Sequence, residues 1–169
     1  ENVHMYVEYT NSWFDINKEA ETANSLMAKG CVIIGQHADS TGAPSAVQAA
    51  FEQNGTVAYS VGYNVSMLSV APDVALTSSS NNWATYYEYA FKSMMDGTEI
   101  ATDWAEGYET GAVNITELGT SVAEGTKEKV AEVEAAIKDG SLNVFDTSKF
   151  TVDGANLTDD FELNLSFTD

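Results

Sequence analysis

Along the first eighty residues the hydrophobic positions switch repeatedly between two periods. The stretch "VHMYVEYT" (3–10) alternates, setting Val3, Met5, Val7 and Tyr9 on one face, which predicts a strand. Asp15 then reads as the N-cap of a helix with an apolar stripe of Ile16, Ala20, Ala23 and Met27, ending at Gly30. "CVIIG" (31–35) is a short, wholly apolar run of the kind a parallel sheet buries on both faces. Pro44, near a helix start, introduces Val47, Ala50 and Phe51, and that helix stops at Asn54 and Gly55. "TVAYSVG" (56–62) predicts a third strand, and "DVALTSS" (73–79) a fourth, reached through a loop around "NVSMLSVAP". Strands and helices alternating with short connections imply right-handed crossovers. The expected fold class is therefore α/β, with a doubly wound parallel sheet.

The second half is less regular. "NNWATYYEYAFKSMMDGT" (81–98) predicts a helix with Trp83, Tyr87, Ala90, Phe91 and Met94 on one side and Gly97 at its end. That side is broad and aromatic, so something is expected to cover it. A weak strand, "GAVNITEL" (111–118), precedes a polar helix over 122–139 with Val130, Val133 and Ile137 as its stripe. The tail, 141–169, alternates at "FELNLSF" like an edge strand. No repeat, low-complexity tract or linker divides the chain, so residues 1–169 are expected to form one lobe.

Composition narrows the partners. The chain has 169 residues and 18.2 kDa, enough for one domain with a core. With 44% hydrophobic and 20% charged residues it is globular in type, and no apolar run reaches the roughly 18 residues of a bilayer-crossing helix. Twenty-six acidic residues against 7 basic ones give a formal charge of −19, which repels a polyphosphate backbone and removes nucleic acid from the expected partners. Most of that charge reads as a solvated surface. The single cysteine, Cys31, can form no internal disulfide and belongs to no zinc pattern; opening an apolar run, it reads as a small core residue. No charged-then-apolar leader begins the sequence.

In an open parallel sheet, ligands lie beyond the carboxyl ends of the strands. Four segments end strands in this way: "TNSWFD" (10–15), "GQHADSTG" (35–42), "GYNVSM" (62–67) and "TSSSNNW" (77–83). They supply Trp13, Phe14 and Trp83 as stacking surfaces and Asp15, Gln36, His37, Asp39, Ser40 and Asn64 as hydrogen-bonding groups. Such a set suits a neutral, flat molecule with polar edges. Catalysis is poorly served: there is no G-x-S-x-G nucleophile turn and no G-x-G-x-x-G fingerprint. No lysine or arginine in these segments offers itself to phosphate, and His37 with Asp39 would give a metal only two ligands. No cofactor, metal or catalytic residue is therefore expected. Simpler structural duties compete for the same residues: Asp15 as a helix cap, Asp39 or Ser40 as the cap of the next helix, and His37 as a satisfied surface group.

The order of "SWFD" before a helix, "VIIGQHADSTG", "YSVGYNVSM", "DVALTSSSNNWATYYEYAFKSMMDGT" and "KVAEVEAAIKDGSLNVF" resembles the basic membrane protein (BMP) family of ABC-transporter solute-binding lipoproteins, which includes purine nucleoside receptors. The resemblance covers roughly residues 3 to 150. It implies a type I periplasmic-binding-protein fold, two α/β lobes that close on a small solute and dock on a membrane permease, held outside the cytoplasm by a lipid anchor. This chain would be the C-terminal lobe of such a protein, binding a nucleoside-like or nucleobase-like solute without enzymatic activity. The helix over 83–97 would pack on the absent N-terminal lobe, or be hidden by self-association. Carried over by position, Trp13, Phe14 and Asp15 match the aromatic cleft segment, Gln36, His37, Asp39 and Ser40 a strand-end loop, and Trp83 the aromatic after "LTS". Asn64 stands where the family usually has a ribose-clamping aspartate, and Ser66 where a second acid is common, which weakens the expectation of a ribose clamp. Two other classes remain open on the residues alone. One is a flavodoxin-like or receiver-like domain with Asp39 as its acidic centre, though Lys92 lies mid-helix where a receiver wants a lysine at a strand end; the other is an interaction module whose acidic surface meets a basic partner.

Overall fold

The computed structural model describes residues 3–144 together with 146, 149, 151, 152, 155 and 156. Chain order runs α1 (Ile16–Ala28), β1 (Ile33–Gly35), α2 (Gly42–Asn54), β2 (Tyr59–Tyr63), β3 (Ala75–Asn81), α3 (Trp83–Asp96), β4 (Val113–Ile115), α4 (Thr126–Lys138), β5 (Thr151–Val152) and β6 (Ala155–Asn156). The first four strands form one sheet in the order β1-β2-β3-β4. β1, β2 and β3 are mutually parallel, with Gly35 opposite Val61 and Tyr63 opposite Ser79. β4 joins β3 antiparallel, Asn81 facing Val113. The chain divides into two compact units, 1–127 and 128–169; the second holds most of α4 and the antiparallel pair β5 and β6.

Local chemistry sets the helix limits. Asp15 accepts a hydrogen bond from the Lys18 N–H at 3.0 Å, while Glu19 Oε1 reaches back to the Asp15 N–H at 3.1 Å, so two otherwise unpaired amides at the start of α1 are satisfied. Asn82 caps α3 in the same way through Ala84. α2 and α3 end on Gly55 and Gly97 in the left-handed conformation, φ 64° and 67°, which costs glycine least. At the start of α2 the chain passes so close to α1 that a Cβ on Gly42 would collide with the Ile16 carbonyl oxygen and lie 3.0 Å from the Glu19 Cβ.

The core sits where α1 and α2 meet the sheet, and it is built of small side chains. Ala23, Ile34, Ala43, Val47, Ala58, Met67, Ala71 and Val74 are buried together, with Leu26, Met27 and half-buried Cys31 against them. Gln48, buried in α2, holds the turn before β3 through its side-chain amide. It donates to Asp73 Oδ2 at 2.6 Å and to Glu52 at 2.7 Å, and accepts from the Asp73 N–H at 3.1 Å. Every polar atom of that amide head is thus used, as its burial demands.

Several sequence expectations change. Residues 3–10 form no strand: Val3, Met5, Val7 and Tyr9 are exposed and no ladder bonds them among the described residues. Alternation marks a segment able to pair but does not supply the partner: β1 is the edge strand of the sheet, bonded to β2 on one side, and residues 3–10 add no ladder to it. β1 is covered on one face only; Ile34 is buried while Ile33 is 59% exposed. The sheet is parallel through β3 and antiparallel at β4, a common arrangement for the last strand of such sheets. β2 ends one residue later than the third predicted strand, and β3 starts two later and runs two further than the fourth. The predicted edge strand over 161–167 lies outside the described residues.

The extended segment is tethered to α1 by charge. Glu8 accepts from the Lys29 ammonium and from the Ser25 hydroxyl at 3.0 Å. The bond from Lys29, then that from Ser25, holds the Glu8 carboxyl below its ordinary range, while Glu8 in turn raises Lys29. A lowered carboxyl pKa contributes stability that is present above the unfolded value near 4.3 and lost as pH falls through the folded one. The raised Lys29 contributes below the unfolded lysine value and loses it as pH rises through the folded one. Lys29→Gln is expected to move the Glu8 titration midpoint upward when followed by carboxyl carbon NMR; an unmoved midpoint would remove the tether. For the helix contact, Gly42→Ala is expected to cost about 1–3 kcal/mol in urea unfolding. Gly35→Ala, whose Cβ would meet nothing within 4 Å, should lose far less.

Candidate functional site

Parallel pairing carries the ends of β1, β2 and β3 to one edge of the sheet. His37 lies two residues past Gly35, and Tyr63 two past its partner Val61; their rings meet with centroids 4.7 Å apart, tilted by 49°. On the other side of His37 stands Trp13, centroids 6.1 Å apart. The segment carrying Trp13 is fixed to the loop after β1 by the Asp39 N–H, which donates to the Trp13 carbonyl at 2.7 Å. Trp13, His37 and Tyr63 therefore form a row of rings along the strand ends. Trp13 is 71% exposed, and Phe14 beside it is exposed too, so aromatic surface faces solvent where an extended chain could have hidden one of them.

The loop over 36–41 is held from inside. Gln36 donates through Nε2 to the Ala38 and Ser40 carbonyls at 2.7 and 2.8 Å, leaving its buried Oε1 without a partner among the described residues. Ser40 is buried and its hydroxyl accepts from the Gly42 N–H at 3.1 Å. Thr41, not Asp39 or Ser40, is the N-cap of α2, and its side chain makes no cap bond. Asp39 is left with its carboxylate exposed at the edge. Asn64, just past β2, has φ 71°, donates its N–H to the Ser79 carbonyl at 2.7 Å and accepts from the Ser80 hydroxyl at 3.0 Å. This turn locks the end of β2 to β3 and leaves the Asn64 side chain exposed.

Of the sequence candidates, the structure brings Trp13, His37 and Asp39 together and sets Asn64 next to Tyr63 in the chain, at the end of β2. Asp15 and Ser40 are occupied by backbone amides. Trp83 belongs to a different hollow at the same edge, a cavity of about 190 Å³ at the junction of β3, α3 and the start of β4. Tyr86, Trp104 and Glu106 line it with Trp83. Tyr63 lay within the strand-end segment "GYNVSM" but was not singled out there beside Asn64. Trp104 lies in a polar, aperiodic stretch, "TDWAEGYETG", where an isolated tryptophan was the one available signal. Among the described residues no group of three or more His, Cys, Asp or Glu could hold a metal ion, and no helix is long and apolar enough to cross a membrane.

The fold is shared with solved ABC-transporter solute-binding proteins. An ABC-transporter solute-binding protein of Aeropyrum pernix K1 superposes with a TM-score of 0.70 over 85% of this chain and 48% of that one, at 17% identity. One from Conexibacter woesei DSM 14684 gives 0.62 over 81% and 45%, at 19% identity. A transcriptional activator of the comK gene from Bacillus halodurans gives 0.65 over 79% and 46%, at 18% identity, so the fold is shared beyond transport. The model of the Bmp family, ABC transporter substrate-binding protein PnrA-like, matches residues 1–146, and the chain belongs to that family. A purine-binding protein of Brucella abortus (strain 2308) is 37% identical over 139 residues, 82% of this chain and 38% of the relative. A putative ABC transporter glucose-binding protein, TsgA13, of Haloferax volcanii is 33% identical over 144 residues, 85% and 35%. The chain thus spans well under half the length of these relatives.

The positive φ of Asn64 has a measurable cost. Asn64→Gly should fold with near-unchanged stability, whereas Asn64→Val should lose about 1–2 kcal/mol relative to it, because a branched side chain crowds the left-handed region. Urea unfolding of the two variants side by side checks this.

Proposed function

We propose that this chain is a ligand-binding lobe of an extracytoplasmic binding protein serving an ABC importer, and that it takes a nucleoside-like or nucleobase-like solute. The observation that carries the reading is the row formed by Trp13, from the segment before α1, with His37 and Tyr63 at the carboxyl ends of parallel strands, in a chain of the PnrA-like family with a purine-binding relative. Trp13 and Phe14 offer their faces to a purine ring, while His37, Asp39 and Asn64 read its polar edges. Gln36 and Ser40 shape the loop, Asp15 anchors the helix behind Trp13, and Trp83 extends the aromatic surface along the same edge. On this reading the role is capture without chemical conversion, in line with a family of transporter substrate-binding proteins. Partners on this reading are the small solute and a membrane permease. The exposed aromatic side of α3 would be covered by another lobe or by a second copy, and attachment through a lipid would keep the receptor at the cell surface or in the periplasm.

Stacking of a base on an aromatic side chain is worth about 1–3 kcal/mol by alanine substitution. Isothermal titration with adenosine and guanosine, with glucose alongside, is expected to give saturable binding of a purine nucleoside that Trp13→Ala weakens about tenfold. Binding of glucose in preference to both purines, or purine binding indifferent to Trp13, would overturn the assignment.

A further inference from the structure

The cavity at the β3–α3 junction has a chemistry of its own. Its aromatic wall is Trp83, Tyr86 and Trp104, and the one ionisable group that lines it with them, apart from the tyrosine hydroxyl, is Glu106. Trp104 is fixed on two sides: Tyr86 meets it edge-on with centroids 5.1 Å apart and 66° between planes, and Tyr89 stacks on it at 6.2 Å and 23°. No lysine, arginine or histidine lines the cavity. Among the described residues Glu106 has neither an ion-pair partner nor a hydrogen bond to its carboxylate. The one nearby feature that favours an anion, the N-terminus of α3, is already capped, with the Asn82 side chain accepting from the Ala84 N–H at 3.3 Å.

Ring faces are negative and attract a cation placed over them, and an uncompensated carboxylate beside them adds to that attraction. A neutral ring could use the same faces but would gain nothing from Glu106, and an anion would be repelled. The chain's formal charge of −19 further concentrates cations at the surface. At about 190 Å³ the cavity falls below the roughly 300–1,000 Å³ of sites that enclose whole drug-sized molecules, so it fits a head group. We propose that this cavity binds an organic ammonium group, with Trp83, Tyr86 and Trp104 as its cage and Glu106 as its counter-charge. The site shares no residue with the row at Trp13, His37 and Tyr63; the proposed nucleoside surface reaches it only at Trp83, while Trp104 and Glu106 belong to the cavity alone.

The chain has three tryptophans, Trp13, Trp83 and Trp104, so their indole N–H signals separate the two sites in a ¹⁵N NMR titration. At constant ionic strength, choline is expected to shift the Trp83 and Trp104 signals saturably and leave Trp13 still. Its uncharged isostere 3,3-dimethylbutan-1-ol should bind about tenfold more weakly. Glu106→Gln, an exposed and nearly isosteric change, should weaken choline several-fold without altering the response to the alcohol. Equal affinity for choline and the alcohol, indifference to Glu106→Gln, or the same shifts with sodium chloride alone would overturn the proposal. Adenosine acting on Trp13, or failing to, reports on the other site and leaves this result unchanged.

Discussion

Parallel register is the constraint on which the candidate site depends. Because Gly35 pairs with Val61 and Tyr63 with Ser79, each strand delivers its following loop to the same edge, and residues distant in sequence meet there. A one-residue slip of β1 against β2 would turn His37 to the opposite side of its strand and break its ring contact with Tyr63. What opposes the slip is the small-residue core: Ile34 is buried under α1 and α2, which approach closely because Gly42 has no side chain. The bonds of Asn64 to Ser79 and Ser80 then fix the β2 end against β3. Site geometry is thus a consequence of helix packing on the far side of one strand.

Legibility in the sequence followed how local each determinant is. The caps at Asp15 and Asn82 and the glycine ends of α2 and α3 depend on neighbours within a turn, and α1, α2 and α3 were readable nearly to the residue, whereas the helix expected over 122–139 begins at Thr126. Strand existence was readable at 33–35, 59–63, 75–81 and 113–115, but pairing direction was not: nothing within "AVNIT" distinguishes an antiparallel neighbour from a parallel one. Residues 3–10 show the limit of period two, since alternation describes a capacity to pair and leaves the partner open. The candidate residues at strand ends could be nominated because loop position follows from strand order. Their division into a row at Trp13 and a cavity at Trp83 could not, because Trp104 enters from a stretch with no period at all.

Burial is uneven in a way that bears on function. The sheet is covered where α1 and α2 pack, yet Ile33 on β1 and Trp83, Tyr87, Phe91, Met94 and Met95 on α3 remain exposed. A buried aromatic contributes both area and specific ring geometry, so an exposed row on one helix leaves a large apolar contribution unused within these contacts. Patches of this kind on soluble chains mark surfaces that meet another body. The charge distribution limits what that body is: at −19 and with no arginine in the sequence, the chain lacks the bidentate groups that phosphate-rich partners recruit.

The two aromatic features at the edge differ in what they can discriminate. In the row, His37 and Tyr63 touch one another and Trp13 is open to solvent, so on the reading proposed above a planar guest is held by area and its polar edge is read by single hydrogen bonds. In the cavity, Trp104 is clamped between Tyr86 and Tyr89, and the sole carboxylate is unpaired among the described residues, so charge decides. A rigid ring beside an unspent charge needs little reorganisation when a counter-ion arrives, and electrostatic selection is strongest where the site is already arranged. The open row lacks that preparation: on the same reading its affinity needs a second surface over the guest, because a ring stacked on one side only keeps its other face in water.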